Sequence, residues 1–94
     1  QVQIQNSYIE NLYDLIGLAT EDHQDGVIVT DVNPQSEAYK SNIRKDDIII
    51  EIGRKQITNK QDYDNELMLY SKGDTIMLKV LRDGMTRYEA FLIQ

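Results

Sequence analysis

Hydrophobic positions fall in short runs along the 94-residue chain. Val27-Ile28-Val29 and Ile48-Ile49-Ile50 are continuous and rich in β-branched residues, which predicts strands buried on both faces. Ile76, Leu78 and Val80 alternate with Met77 and Lys79, the period of a strand with one buried face. Tyr63, Leu67 and Tyr70 stand at i, i+4 and i+7, a helical stripe. The turn residues between these runs set the order of elements. Gly26 opens a strand that Asn33-Pro34 ends. Ser36 caps a short helix over 37–41, and Asn42 takes the left-handed position after it. Ile43 then returns to the core. The charged turn 44–47 leads into a strand over 48–53, and Gln56-Ile57 pair briefly. Asn59 caps a longer helix from Lys60 to about Ser71, ended by Gly73. Asp83-Gly84 predicts a hairpin between strands 75–81 and 88–93. At the front, Val2 and Ile4 alternate with Gln over 1–5, a short strand or the end of a linker. Ile9, Leu12, Tyr13 and Ile16 lie near helical spacing and predict a turn or two of helix over 8–14. The fold class expected is mainly β with two helices (α+β), a partly open barrel of five or six strands capped by helices.

One stretch in this pattern carries chemistry. Leu15-Ile16-Gly17-Leu18-Ala19-Thr20 reads as a hydrophobic–Gly–hydrophobic turn running into a strand. Gly17 can adopt backbone angles closed to other residues, and successive N–H groups in such a turn form a nest that favours an anion. A strand edge beside an anion nest can accept the end of an extended peptide. The turn alone has low specificity, because many strands begin this way.

Composition narrows the remaining choices. The length suits one domain with a modest core. A net charge of −6 argues against binding a phosphate backbone, which needs clustered cations. No Cys is present, so disulfides and thiolate metal sites are excluded. No apolar run approaches the roughly 18 residues that span a membrane. The chain opens on Gln1 without a leader pattern, as expected of a processed piece or an excised domain. Ser7, Ser36, Ser41 and Ser71 lie outside any Gly-x-Ser-x-Gly context, and His23 sits in a polar stretch with no nucleophile at a recognisable spacing. Glu21, Asp22 and Asp25 read as a solvated charge run, and Asp47 as a partner for backbone N–H groups in its turn. No phosphate loop or metal spacing appears, so neither cofactor nor metal is expected.

The order of elements and four phrases resemble a bacterial-type PDZ domain, most like those carried C-terminally by HtrA/Deg serine proteases. The phrases are Leu15-Ile16-Gly17-Leu18, the strand and loop 26–36, Asn42-Ile43-Arg44-Lys45-Asp46-Asp47-Ile48-Ile49, and 57–67 with Gly73-Asp74-Thr75-Ile76 and Leu81-Arg82-Asp83-Gly84. They span residues 14–93, which makes 14–94 the expected domain and 1–13 an extension or linker. Asn42 and Asp46 stand where the family usually has Gly, and Gln35 and Glu37 replace Gly and Pro. Asp14 stands where good carboxylate binders often have a base.

The resemblance implies a peptide laid between the strand after the turn and the longer helix. The N–H groups near Ile16, Gly17 and Leu18 would hold a terminal carboxylate. Leu18, Ala19 and Thr20 would offer the edge, and Ile16 and Leu18, next to Leu15, would line an apolar end pocket. Asp64, Met68 and Ser71, beside Leu67, would face the groove from the helix. The function implied is non-catalytic binding of apolar C-terminal or unfolded segments, attached to a protease domain, at a periplasmic or extracytoplasmic site. The implied partners include neither nucleic acid nor membrane, and the parent can be a homo-oligomer. The alternatives are an assembly or regulatory domain with little peptide binding, and a scaffold PDZ domain of a secretion or membrane-protease system.

Overall fold

The computed structural model describes residues 15–94. The strand expected over 1–5, the helical turn over 8–14, the domain boundary near residue 13 and the side chain of Asp14 lie outside the described residues. Six strands and two helices follow in the order β1 (Leu18–His23), β2 (Gly26–Val32), α1 (Glu37–Lys40), β3 (Ile48–Ile52), β4 (Lys55–Gln56), α2 (Lys60–Leu67), β5 (Thr75–Arg82) and β6 (Met85–Leu92). They form one sheet in the spatial order β1-β2-β3-β5-β6, with β4 paired to β3. Each pairing is antiparallel. The sheet is open, with β1 at one end of its order and β6 at the other.

One side chain from each period-2 pair enters the core. Val27 and Val29 are fully buried, whereas Ile28 between them is half-buried on the other face. Ile76, Leu78 and Val80 are fully buried, as their alternation requires. Tyr63 and Leu67 of α2 join them, with Ile43, Ile49, Ile52, Ile57 and Ile93. Burying so many branched aliphatic side chains in one cluster is the main favourable term for a domain of this size.

Turn chemistry sets the boundaries. Ser36 Oγ accepts the N–H of Tyr39 at 3.1 Å and caps α1. Asn42 follows at φ 76°, the left-handed angle expected of it, and Ile43 N–H bonds Ala38 O at 3.0 Å. Asp83 and Gly84 both have positive φ, 53° and 78°. That is the hairpin turn whose twist matches the flanking strands. It pairs Arg82 directly with Met85, so β6 begins three residues before the expected Tyr88. β1 also outruns its polar signal: Glu21, Asp22 and His23 pair with Ile28, Val27 and Gly26. Ladder bonds extended this strand where side-chain polarity predicted a loop.

The longer helix is shorter than its sequence signal. It ends at Leu67, where Leu69 N–H and Tyr70 N–H bond the carbonyls of Glu66 and Leu67, each at 3.1 Å. These three-residue steps tighten the end. Ser71 N–H then bonds Asp74 Oδ2 at 2.8 Å. Ser71 therefore lies past the end of the helix.

Asp47 is the polar hub of the fold, and its side chain is only 2% exposed. Its carboxylate accepts Arg82 Nε and Nη2, each at 2.7 Å, and Arg44 N–H at 2.9 Å. Arg82 Nη2 also reaches Asn42 O at 2.6 Å. One carboxylate thus joins the end of β5 to the loop before β3. The expected backbone contact is present, and the Arg82 fork is an addition that sequence spacing did not show. The ion pair holds the Arg82 guanidinium above its ordinary pKa, chiefly through the hydrogen bond to Asp47.

Two stability changes follow. Asp47→Ala leaves Arg82 and the Arg44 N–H without their partner, and the expected loss is about 3 kcal/mol. Urea unfolding measures it, and a loss under about 1 kcal/mol would deny the hub its role. Asp46 is held at φ 77°, a conformation that costs a side-chain-bearing residue about 1–2 kcal/mol. Asp46→Gly should raise the unfolding midpoint by an amount worth about 0.5–1 kcal/mol, after the entropy lost by freeing the unfolded chain.

Candidate functional site

The site is built on the turn at Gly17. Leu15 and Ile16 are helical, Gly17 turns at φ 75°, and β1 starts at Leu18. A Cβ on Gly17 would lie 2.6 Å from Ser36 Cβ and 3.2 Å from Asn33 Cβ. Both the angle and the space therefore demand glycine. Gly17 O accepts Asn33 N–H at 2.9 Å, and Ser36 Oγ donates to Asn33 O at 2.7 Å. The end of β2 and the cap of α1 thus brace the turn from one side.

From the turn, β1 runs along α2. Its pairing with β2 occupies one edge, and a register shift between Ala19 and Thr20 bends the strand. Its other edge has no strand partner among the described residues. Ile16 and Leu18 are buried, and Leu15 packs against the same cluster. Ala19 is half-buried and Thr20 turns inward at 8% exposure. The far end of β1 is tied to the helix, because Asp22 Oδ1 accepts the N–H of Lys60 at 2.6 Å. Asp22 therefore satisfies one of the free donors at the start of α2.

On α2, Asp64 is half-buried and pairs with Lys60 Nζ at 3.0 Å. Leu67 belongs to the core cluster at 1% exposure, and Met68 is 51% exposed. Ile16, Leu18 and Leu67 belong to one buried cluster, Thr20 is buried, Asp64 is half-buried and Met68 is exposed. Ser71 follows the end of α2, its N–H bonded to Asp74. Sequence reasoning missed Lys60 and Asp22. Lys60 was readable as the i−4 partner of Asp64. Asp22 was not, because its partner lies 38 residues away.

Thr20 Oγ1 and Tyr63 OH are buried close to one another, with no further hydrogen-bond partner among the described residues. Burial and then the Asp64 charge push the Tyr63 pKa up, and the nearby Thr20 hydroxyl draws it partly back. A buried hydroxyl without a well-formed bond costs about 1–3 kcal/mol.

Two other features border the turn or β1. A cavity of about 270 Å³ opens on the α1 side, lined by Leu15, Ile16, Gly17, Ser36, Lys40 and Phe91 among others. Its Lys40 is bonded to Glu37 at 3.1 Å. His23 closes the β1–β2 turn by accepting the Asp25 N–H at Nδ1, 3.1 Å away. No helix among the described residues is long and apolar enough to cross a membrane.

Comparison with known proteins agrees with this geometry. The family model described as "PDZ domain" matches residues 15–88. A protein named "Probable periplasmic serine endoprotease DegP-like" from Chlamydia trachomatis is 33% identical over 61 residues. That match takes in 65% of this chain and 12% of the relative, so the chain spans about an eighth of that protein's length. The HtrA3 PDZ domain bound to a phage-derived ligand superposes with a TM-score of 0.72 at 17% identity, covering 84% of this chain and 83% of that one. A serine endoprotease from Yersinia pestis gives a TM-score of 0.72 at 22% identity, covering 99% of this chain and 35% of that one. The chain belongs to the PDZ domain family, and within that family its likeness is to the HtrA/Deg type.

Proposed function

We propose that this domain is a non-catalytic module that captures extended, apolar C-terminal segments by adding them as a strand beside β1. The observation that carries the reading is the edge of β1 that no described strand pairs, which begins at the left-handed Gly17 turn and lies along α2. A strand added there gains main-chain hydrogen bonds, and side-chain pockets give selectivity. In this reading the N–H groups near Ile16, Gly17 and Leu18 receive the carboxylate. Leu15, Ile16, Leu18 and Leu67 make the end pocket apolar. Leu18, Ala19 and Thr20 supply the edge, and Asp64 and Met68 form the outer lip. Affinity is weak, about micromolar, because a short peptide loses much entropy when ordered. The likeness to DegP-like endoproteases named periplasmic supports an attached protease domain and an extracytoplasmic site, where the module would present segments exposed by misfolded proteins.

One observation favours the second reading, an assembly or regulatory role. Among the described residues Lys40 is the only cation lining the cavity beside the turn, and it is paired with Glu37. A carboxylate at the turn would then depend on backbone donors alone.

Backbone-amide NMR separates the readings. A short peptide ending in Val with a free carboxylate is expected to shift the signals of Ile16 to Thr20, and its amidated twin is not. Gly17→Val, which drives a side chain into Ser36, should abolish the shifts. If neither peptide moves those signals at millimolar concentration, peptide capture fails and assembly becomes the working function.

A further inference from the structure

The sheet order ends on β6, whose outer edge peptide capture does not use. Every residue from Met85 to Leu92 pairs with β5 in an unbroken register. The second edge of β6 has no strand partner among the described residues. Exposed edges are usually blunted by a Lys, a Pro or a bulge, because unpaired backbone groups recruit another strand. β6 has none of these, and its two charges, Arg87 and Glu89, bond one another at 3.0 Å. β1, by contrast, carries a register shift and the acids Glu21 and Asp22. β6 also shows much apolar surface: Met85 is 70% exposed, Tyr88 58% and Leu92 45%.

The hairpin fixes which backbone groups face that edge. Its tight turn makes Arg82 and Met85 the closing hydrogen-bonded pair. Alternation then aims the backbone groups of Met85, Arg87, Glu89 and Phe91 at β5. Ile93 keeps the same phase, since its N–H bonds Asp74 O at 2.8 Å and its O accepts Gly73 N–H at 2.7 Å. The N–H and C=O groups of Thr86, Tyr88 and Ala90 therefore point to the open edge. One of them already has a contact: Ser41 Oγ donates to Ala90 O at 3.4 Å, a long and weak bond for a hydroxyl.

The order of side chains along β6 decides what fits there. Laid antiparallel on a second copy of itself with Tyr88 opposite Tyr88, β6 places Arg87 opposite Glu89 on both sides of the axis. Thr86 then meets Ala90, and Met85 meets Phe91. Across this new edge Arg87 and Glu89 occupy non-hydrogen-bonded positions, where side chains approach most closely. The two existing ion pairs would join into one ring of alternating charge. Centring the pairing on Arg87 or on Glu89 instead sets like charges against each other, which destabilises a ladder. We infer that β6 is a self-pairing surface: two copies of this chain join edge to edge through antiparallel β6 strands centred on Tyr88, and their sheets become one about a twofold axis. This contact makes no use of the groove beside β1 and stands independently of peptide capture.

Sedimentation equilibrium of the 94-residue chain reads the association, at about 0.15 M salt so that repulsion between two acidic chains is screened. The average mass should rise from one chain toward two as the concentration approaches about millimolar, the range of a small interface. Amide hydrogen exchange at Thr86, Tyr88 and Ala90 should slow over the same range. Arg87→Glu and Glu89→Arg each set like charges across the axis and should weaken self-association about tenfold or more. Mixed together, the two variants should associate as the wild type does, because one supplies both acids and the other both bases. Tyr88→Pro removes the N–H at the axis without touching a bond to β5, and should abolish association. Unfolding midpoints in dilute solution show that each variant folds. A chain that stays monomeric at millimolar concentration overturns the proposal, and association that both charge variants retain overturns the β6 register. Slow exchange at Thr86, Tyr88 and Ala90 in a monomer at every concentration also overturns it, and gives the edge to another segment of the same chain.

Discussion

The approach of Gly17 to Ser36 is the constraint on which the rest of the site depends. The backbone turns there at φ 75° with Ser36 Cβ only 2.6 Å from where a side chain would begin. This contact fixes where β1 starts and which way its free edge faces. The bracing is cooperative. Ser36 caps α1 and bonds Asn33 O, and Asn33 N–H holds Gly17 O. A change in the cap, the end of β2 or the turn is therefore felt by the other two, as in any small hydrogen-bonded network.

The second tie holds the opposite end of the groove. Asp22 at the end of β1 accepts from the first residue of α2, so strand and helix are joined at that end. The relatives have much longer chains than this one, and their protease names describe those whole proteins. In the proposed reading the domain supplies recognition and leaves chemistry to the attached part.

Away from the groove, the Asp47–Arg82 fork carries the structural load of the loop between α1 and β3. Its charges are satisfied twice over, by each other and by backbone groups at Arg44 and Asn42. This loop contains two of the three non-glycine residues with positive φ among the described residues, Asn42 and Asp46. Their strain is tolerable because the fork and the strand bonds Asp46 N–H to Val29 O and Val29 N–H to Asp47 O, both 2.8 Å, hold the loop from two sides. The family's usual glycines are thus replaced at a cost that local hydrogen bonds offset.

Much of the architecture was legible in the chain because local rules decided it. Period-2 alternation marked Ile76, Leu78 and Val80; the caps at Ser36 and Asn59 started the helices; Asp83-Gly84 made the hairpin. The Gly17 turn was legible for the same reason, since only glycine meets such a turn. Tertiary structure decided what depends on distant partners. β1 continued to His23 because β2 offered a ladder, α2 stopped at Leu67, and Asp74 drew the Ser71 N–H away from the helical path. Asp22 found Lys60 across 38 residues, and Asp47 found Arg82 across 35. The facing hydroxyls of Thr20 and Tyr63 belong with these. A sequence records that two residues can form hydrogen bonds, and only the packed fold determines whether it leaves them a partner.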